Sequence, residues 1–263
     1  MVGGYFIEKH FNNYRNRKGS SAKIEFISAF STTNFVRSLR SIHILLDNVI
    51  SFDSFHLIRS LYENYLTIKY LYCFPSEYEI FDAQLGILTG SHELARTKTG
   101  TGVQNQIVEL ATGRVITIPS RWAMASRLGE FDRCIYNDLY RRLSSYTHSE
   151  IANFRYFISD QGFDYLNPNF EADVLIITHV ICALFFYELK RNSTSAMYLK
   201  RDLSINVERS VFAICAFRAA LAHEGKADGF PKSLELALLT LARKDERVGR
   251  VYDAVGELYG PAS

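Results

Sequence analysis

The sequence predicts a mostly α protein: a helical bundle with a small β-hairpin insertion and a C-terminal helical extension. Three observations predict it. Apolar residues recur at threes and fours through most of the chain, the period of an amphipathic helix. The character changes over 96–118, where two short β-favouring runs flank a turn. The apolar fraction, 48% of 263 residues, is ample for a real core, and the length suits one large domain or two small ones.

Residues 1–23 carry Lys9, Arg15, Arg17, Lys18 and Lys23 against Glu8, interleaved with Tyr5, Phe6, Phe11 and Tyr14. An RNA-contacting arm and a first helix with a solvated face are both open readings; the aromatic spacing favours the helix. From Ile24 to Ile50 the period is helical, and Ser31-Thr32-Thr33-Asn34 offers cap residues at which this stretch could divide in two. Ser51-Phe52-Asp53-Ser54 signals the next helix start, and Pro75 stops that helix after about Cys73. It is apolar nearly all round, as a buried helix is. A further amphipathic helix is expected over 76–95. The runs 107–110 and 115–118 then flank Ala111-Thr112-Gly113-Arg114 as a hairpin.

Pro119-Ser120 restarts helix, Gly129 marks a turn, and a helical stripe through Phe131, Cys134, Ile135, Leu139 and Leu143 ends near Ser149. Loops at 160–162 and 167–169 precede a long apolar helix over about 170–190. Its apolar run, Val174 to Tyr187 broken by Thr178 and His179, falls short of the ~20 residues needed to span a bilayer, so a buried core helix is expected and no membrane is implied. The polar joint 190–195 is the best boundary, dividing a core of 1–195, with its hairpin near 103–118, from an extension of 196–263. That extension holds helices near 205–223, 231–243 and 245–259.

Composition excludes several classes. A net charge of +2 advertises no nucleic acid by itself. Cys73, Cys134, Cys182 and Cys215 are far apart and suit a reducing cytosol rather than a zinc site. No apolar leader follows Met1, which also points to the cytoplasm. The Gly-Thr-Gly piece at 100–102 lacks the Gly-Lys-Ser/Thr of a phosphate loop. No Gly-x-Ser-x-Gly elbow, His-Glu-x-x-His pair or close acid pair is present. No cofactor or metal is called for, although a site between helices using Glu63 and His148 stays open.

Two clusters carry the remaining chemistry. His56, Arg59 and Glu63 share one face of the apolar second helix, and a buried charge there must be paired. A structural ion pair and a site-lining pair are both open. Tyr140, Ser144 and His148 recur at i, i+4 and i+8 on the later helix, with Arg141 and Arg142 beside them. A His can move a proton near neutral pH and an Arg can hold a phosphate bidentately, while hydroxyls of Tyr140, Ser144 and Tyr146 could position it. Metal-free RNA cleavage needs little more, since the RNA's own 2′-OH can attack. A helix C-terminal cap is the structural alternative for His148, and also for His223 beside Arg218.

These motifs carry two resemblances. Arg59-x3-Glu63, then Pro119 and Ala123-Met124-Ala125, then Tyr140-x3-Ser144-x3-His148 resemble, in order and separation, a bacterial family of uncharacterised α-helical proteins across roughly 35–190. More distantly, Arg142-x5-His148, Arg141-x6-His148 and Arg218-x4-His223 are similar to the signature of the HEPN superfamily. Those are small helical bundles, often dimeric, many of them metal-independent ribonucleases in toxin–antitoxin and antiphage systems. By that resemblance the Arg and His roles pass to Arg142 (or Arg141) and His148; in the reading of the residues themselves Tyr140 and Ser144 position the phosphate, and Arg59 and Glu63 shape the site from the neighbouring helix. The implied partners are RNA, an antitoxin or companion defence protein, and a second copy of the chain. The alternative is a non-catalytic helical interaction or regulatory protein built on a buried Arg-Glu-His-Tyr network.

Overall fold

The computed structural model describes residues 19–97, 100, 102–147, 158–159, 162–163, 170–193, 200–224 and 232–259. It is the expected mostly α bundle with a small β insertion. Helix α1, Ser20–Asp47, is a single 28-residue element, not two. The cap-type residues at its middle are satisfied internally: Thr32 donates to the Ser28 carbonyl at 2.7 Å and Thr33 to Ala29 at 3.0 Å. Helix α2, Ser54–Cys73, ends ahead of Pro75, which opens a 3₁₀ turn over Pro75–Glu77. A short connection returns the chain, so α1 and α2 form an antiparallel hairpin in which the Ser28 hydroxyl donates to the Tyr72 hydroxyl at 2.9 Å. Ile58, Leu61, Tyr62, Tyr65, Leu66 and Ile68 of α2 are fully buried, as its all-round apolar pattern requires.

Helix α3, Tyr78–Leu88, is shorter than the 76–95 expectation. The chain turns at Gly90 (φ 74°) and continues as strand β1, His92–Arg96, so Leu94 lies on a strand. With β2, Gly102–Glu109, and β3, Val115–Thr117, it makes a three-stranded antiparallel sheet in register Leu94–Ile107–Ile116. The expected hairpin is β2–β3; β1 went unseen because five residues are too few to separate a strand period from the helix before it.

Helix α4, Arg121–Leu128, begins at Ser120, whose hydroxyl accepts from the Ala123 amide at 3.1 Å. After Gly129 (φ 126°) comes α5, Glu130–Ile135, then a π-helical turn over Tyr136–Tyr140, then α6, Arg141–Thr147. Strands β4, Ile158–Ser159, and β5, Gly162–Phe163, pair antiparallel. Helices α7, Glu171–Asn192, α8, Lys200–His223, α9, Lys232–Lys244, and α10, Glu246–Tyr259, complete the described chain.

At 22 residues, α7 is long and apolar enough to cross a membrane by length and composition, beyond the shorter run expected from sequence. Its apolar window is nevertheless 72% buried within the bundle, as the core helix of a soluble protein would be. One buried cluster joins Phe35, Ile58 and Phe185 to Val207, Val211, Leu238 and Val248, so the C-terminal helices share the core of the rest. Phe35 and Phe185 stack with ring centres 4.0 Å apart.

Candidate functional site

Arg59 and Glu63 lie one turn apart on α2, and the Arg59 Nε donates to Glu63 Oε1 at 3.2 Å. The pair does not close on itself. Tyr140, the last residue of the π turn, donates its hydroxyl to the same Oε1 at 2.8 Å and accepts from an Arg59 terminal nitrogen at 3.1 Å. The two sequence clusters therefore meet at Arg59, Glu63 and Tyr140. The π turn is what aims Tyr140: an extra residue in one turn offsets its side chain from the α-helical direction, a distortion found often at functional positions.

Arg59 and Glu63 side chains are each 28% exposed, so the pair is partly buried rather than sealed. Burial alone would lower the Arg59 guanidinium; Tyr140 and Glu63 hold it above its ordinary value. Burial raises the Tyr140 phenol, and its bond to Glu63 raises it further. Glu63 also has a second side. Its Oε2 accepts from Arg121 of α4 at 3.4 Å, and Arg121 reaches the Thr67 hydroxyl at 3.3 Å. The sequence marks Arg121 only by its place just after the Ser120 cap.

The other expected site residues fall elsewhere. Arg141 and Arg142 are exposed on α6. Arg142 lies near Asp173, whose carboxyl is pushed up by burial against the pull of that positive charge. Ser144 is partly buried on the same helix. Tyr146 is not beside Tyr140: its ring stacks on Phe55 at 4.6 Å and meets Phe170 edge-on, which makes it a packing residue. His56 is exposed. His148, the expected acid/base, lies outside the described residues, and with it the pairing of Glu63 and His148 on a metal. Arg218 donates to Glu235 at 2.7 Å and Tyr252 at 3.2 Å, joining α8 to α9 and α10, while His223 is exposed at the end of α8. Arg218 of that Arg-x4-His pair is thus engaged in contacts between helices.

A second polar centre was missed. Lys69, 9% exposed on α2, donates to Asp132 of α5 at 2.9 Å and to the Tyr65 hydroxyl at 3.1 Å, and lies 3.6 Å from Glu188 of α7. Tyr65 in turn donates to Asp132 at 2.8 Å. A lone lysine in a helix apolar all round was the signal. Its cation is buried with its counter-charges, so it ties three helices together.

A cleft of about 710 Å³ opens beside Glu63 and Arg121, between α1 and α2, with α3 and the β2–β3 side forming its other walls. Among the described residues no cluster of three or more His, Cys, Asp or Glu could hold a metal ion. Comparison with protein-family models, with curated proteins and with solved structures returns no match for this chain.

Proposed function

We propose that the chain is a HEPN-like, metal-independent endoribonuclease, an effector of the antiphage or toxin type. The observation that supports this reading most is the Arg59–Tyr140 bond of 3.1 Å. It sets a guanidinium of α2 against the helix that leads through Ser144 toward His148. In this reading the ribose 2′-OH attacks the adjacent phosphorus. A P–O2′ bond forms and the P–O5′ bond breaks, leaving a cyclic phosphate and a free 5′-OH. His148 moves the proton between O2′ and O5′ by way of solvent, Arg142 neutralises the phosphate, and Ser144 donates a hydrogen bond to it. Arg59 and Glu63 are positioning residues that hold Tyr140. A homodimer and an antitoxin or companion defence protein belong to the same reading.

Cleavage of a mixed RNA pool in EDTA tests it. Wild type should cut and His148→Ala should not, with both variants folded by circular dichroism. Cleavage unchanged in His148→Ala would overturn the assignment.

One observation favours a second reading, a non-catalytic helical interaction protein. The charged atoms of Arg59, Glu63 and Arg121 find partners within the chain itself, as a register-fixing network would. Under that reading no RNA is cut, and Arg59→Ala acts on stability alone.

A further inference from the structure

The cleft beside Glu63 is lined by an unusual choice of residues for a place where two helices meet. Helices that pack through their facing stripes present apolar residues to each other. Here α1 presents Ser31, Asn34, Arg37, Ser38 and Ser41 at helical spacing, below Phe30. From α2, Ser60, Asn64 and Thr67 face the same space, and Gln84 of α3 and Asn105 of β2 close the far wall. These polar side chains share the lining with Leu57, Ile80, Phe81, Ile118 and Met124, so about 710 Å³ of mixed polar and apolar wall leaves room for a ligand.

The chemistry of the walls selects the ligand. Arg37 and Arg121 stand on different helices, and only Glu63 among the lining residues carries negative charge, so the cleft has a net positive charge. Glu63 is already committed to Arg59, Tyr140 and Arg121. Arg37 is exposed, and none of its side-chain nitrogens has a protein partner among the described residues. Phe30 is 61% exposed, a large aromatic left uncovered at the rim. Guanidinium groups recognise phosphate, side-chain amides pair with heterocycle edges, and an open ring offers a stacking face. A simple phosphate or sugar phosphate would leave Phe30 and the amides unused. A volume near the middle of the range for small-ligand sites suits one nucleotide rather than a strand.

We infer that this cleft is a binding site for a free mononucleotide, with Arg37 and Arg121 on its phosphate, Asn64 and Gln84 on its base edge and Phe30 against its base. Because Arg121 also holds Glu63 Oε2, while Tyr140 and Arg59 share Oε1, a phosphate that draws Arg121 toward it loosens Glu63 from one side. The site therefore communicates with the Tyr140 helix through a single carboxylate.

Binding of AMP, GMP, UMP and CMP, of ribose 5-phosphate and of a six-residue oligoribonucleotide is measured by titration calorimetry on the full chain carrying His148→Ala. That substitution prevents turnover under the ribonuclease reading, so binding is read without cleavage whichever reading of the activity holds. At least one mononucleotide should bind below about 1 mM and more tightly than ribose 5-phosphate. Arg37→Gln, which breaks no described contact and leaves the fold intact, should weaken it by about tenfold. Phe30→Ala should weaken the mononucleotide and leave ribose 5-phosphate unchanged. Absence of binding by all four mononucleotides, affinity indifferent to Arg37→Gln, or binding of the oligoribonucleotide alone would overturn the inference.

Discussion

At Glu63 one carboxylate is divided between Arg59 and Tyr140 on one oxygen and Arg121 on the other. Each partner comes from a different part of the chain, so removing one leaves the rest short of a bond in a half-buried place. Tyr140→Phe deletes a donated and an accepted bond and should lower stability by about 1–2 kcal/mol in urea. Arg59→Ala should lower it by about 1–3 kcal/mol, and the double variant by less than the sum, since both act on Glu63 Oε1. Strict additivity would show that the two contacts are independent. Lys69 sits deeper. Lys69→Met would leave Asp132 and Glu188 buried without their cation and should destabilise by about 3–5 kcal/mol. A change under about 1 kcal/mol would show that water reaches the pair.

Among the elements, α4 is short and depends on its start. Ser120→Ala removes the bond to the Ala123 amide and should lower stability by about 1 kcal/mol. Helix α7 carries a pH-sensitive residue in its apolar length. Burial holds His179 below the ordinary imidazole value of 6.5. An unfolded chain takes up a proton there as pH falls through about 6.5, while the folded chain resists until the pH is lower. The contribution of His179 is therefore fully present above about pH 6.5 and is lost as pH falls below it. Unfolding curves for wild type should lose stability between pH 7 and 5, and His179→Phe should flatten that part of the profile. A profile unaltered by the substitution would place the titration on another group.

The molecule as a whole unfolds as its core dictates. Val207, Val211 and Ile214 of α8 share one buried cluster with Ile58 and Phe185, and α9 and α10 add Leu238 and Val248. The polar joint at 190–195 is thus a boundary in sequence across which packing is continuous. Leu238→Ala should cost about 2–5 kcal/mol and shift a single transition rather than split it. Two separate transitions in the wild type would show that 196–263 melts on its own. A chain ending at 195 should fail to unfold cooperatively, because the faces of α7 that meet α8 and α9 would be left in water.

Sequence alone determined the class and most of the helices. Period, Pro75, Ser120 and Gly129 act within a few residues of themselves, and so do the local signals for the hairpin. Helical spacing also placed Arg59 with Glu63 on the face of one helix, and put Tyr140 on the face of another. Only the tertiary structure decided that these two faces touch, that Arg121 completes them, that Tyr146 turns to the aromatic core, and that Lys69 meets two carboxylates from α5 and α7. It alone decided that Ser31 and Asn34 of α1, which resemble caps in one dimension, line a cleft. The physical reason is range. Backbone preferences and hydrophobic period are set by near neighbours in the chain. Ion pairs, stacked rings and clefts are set by which helices the burial of apolar surface brings together, here across separations of 58 to 81 residues.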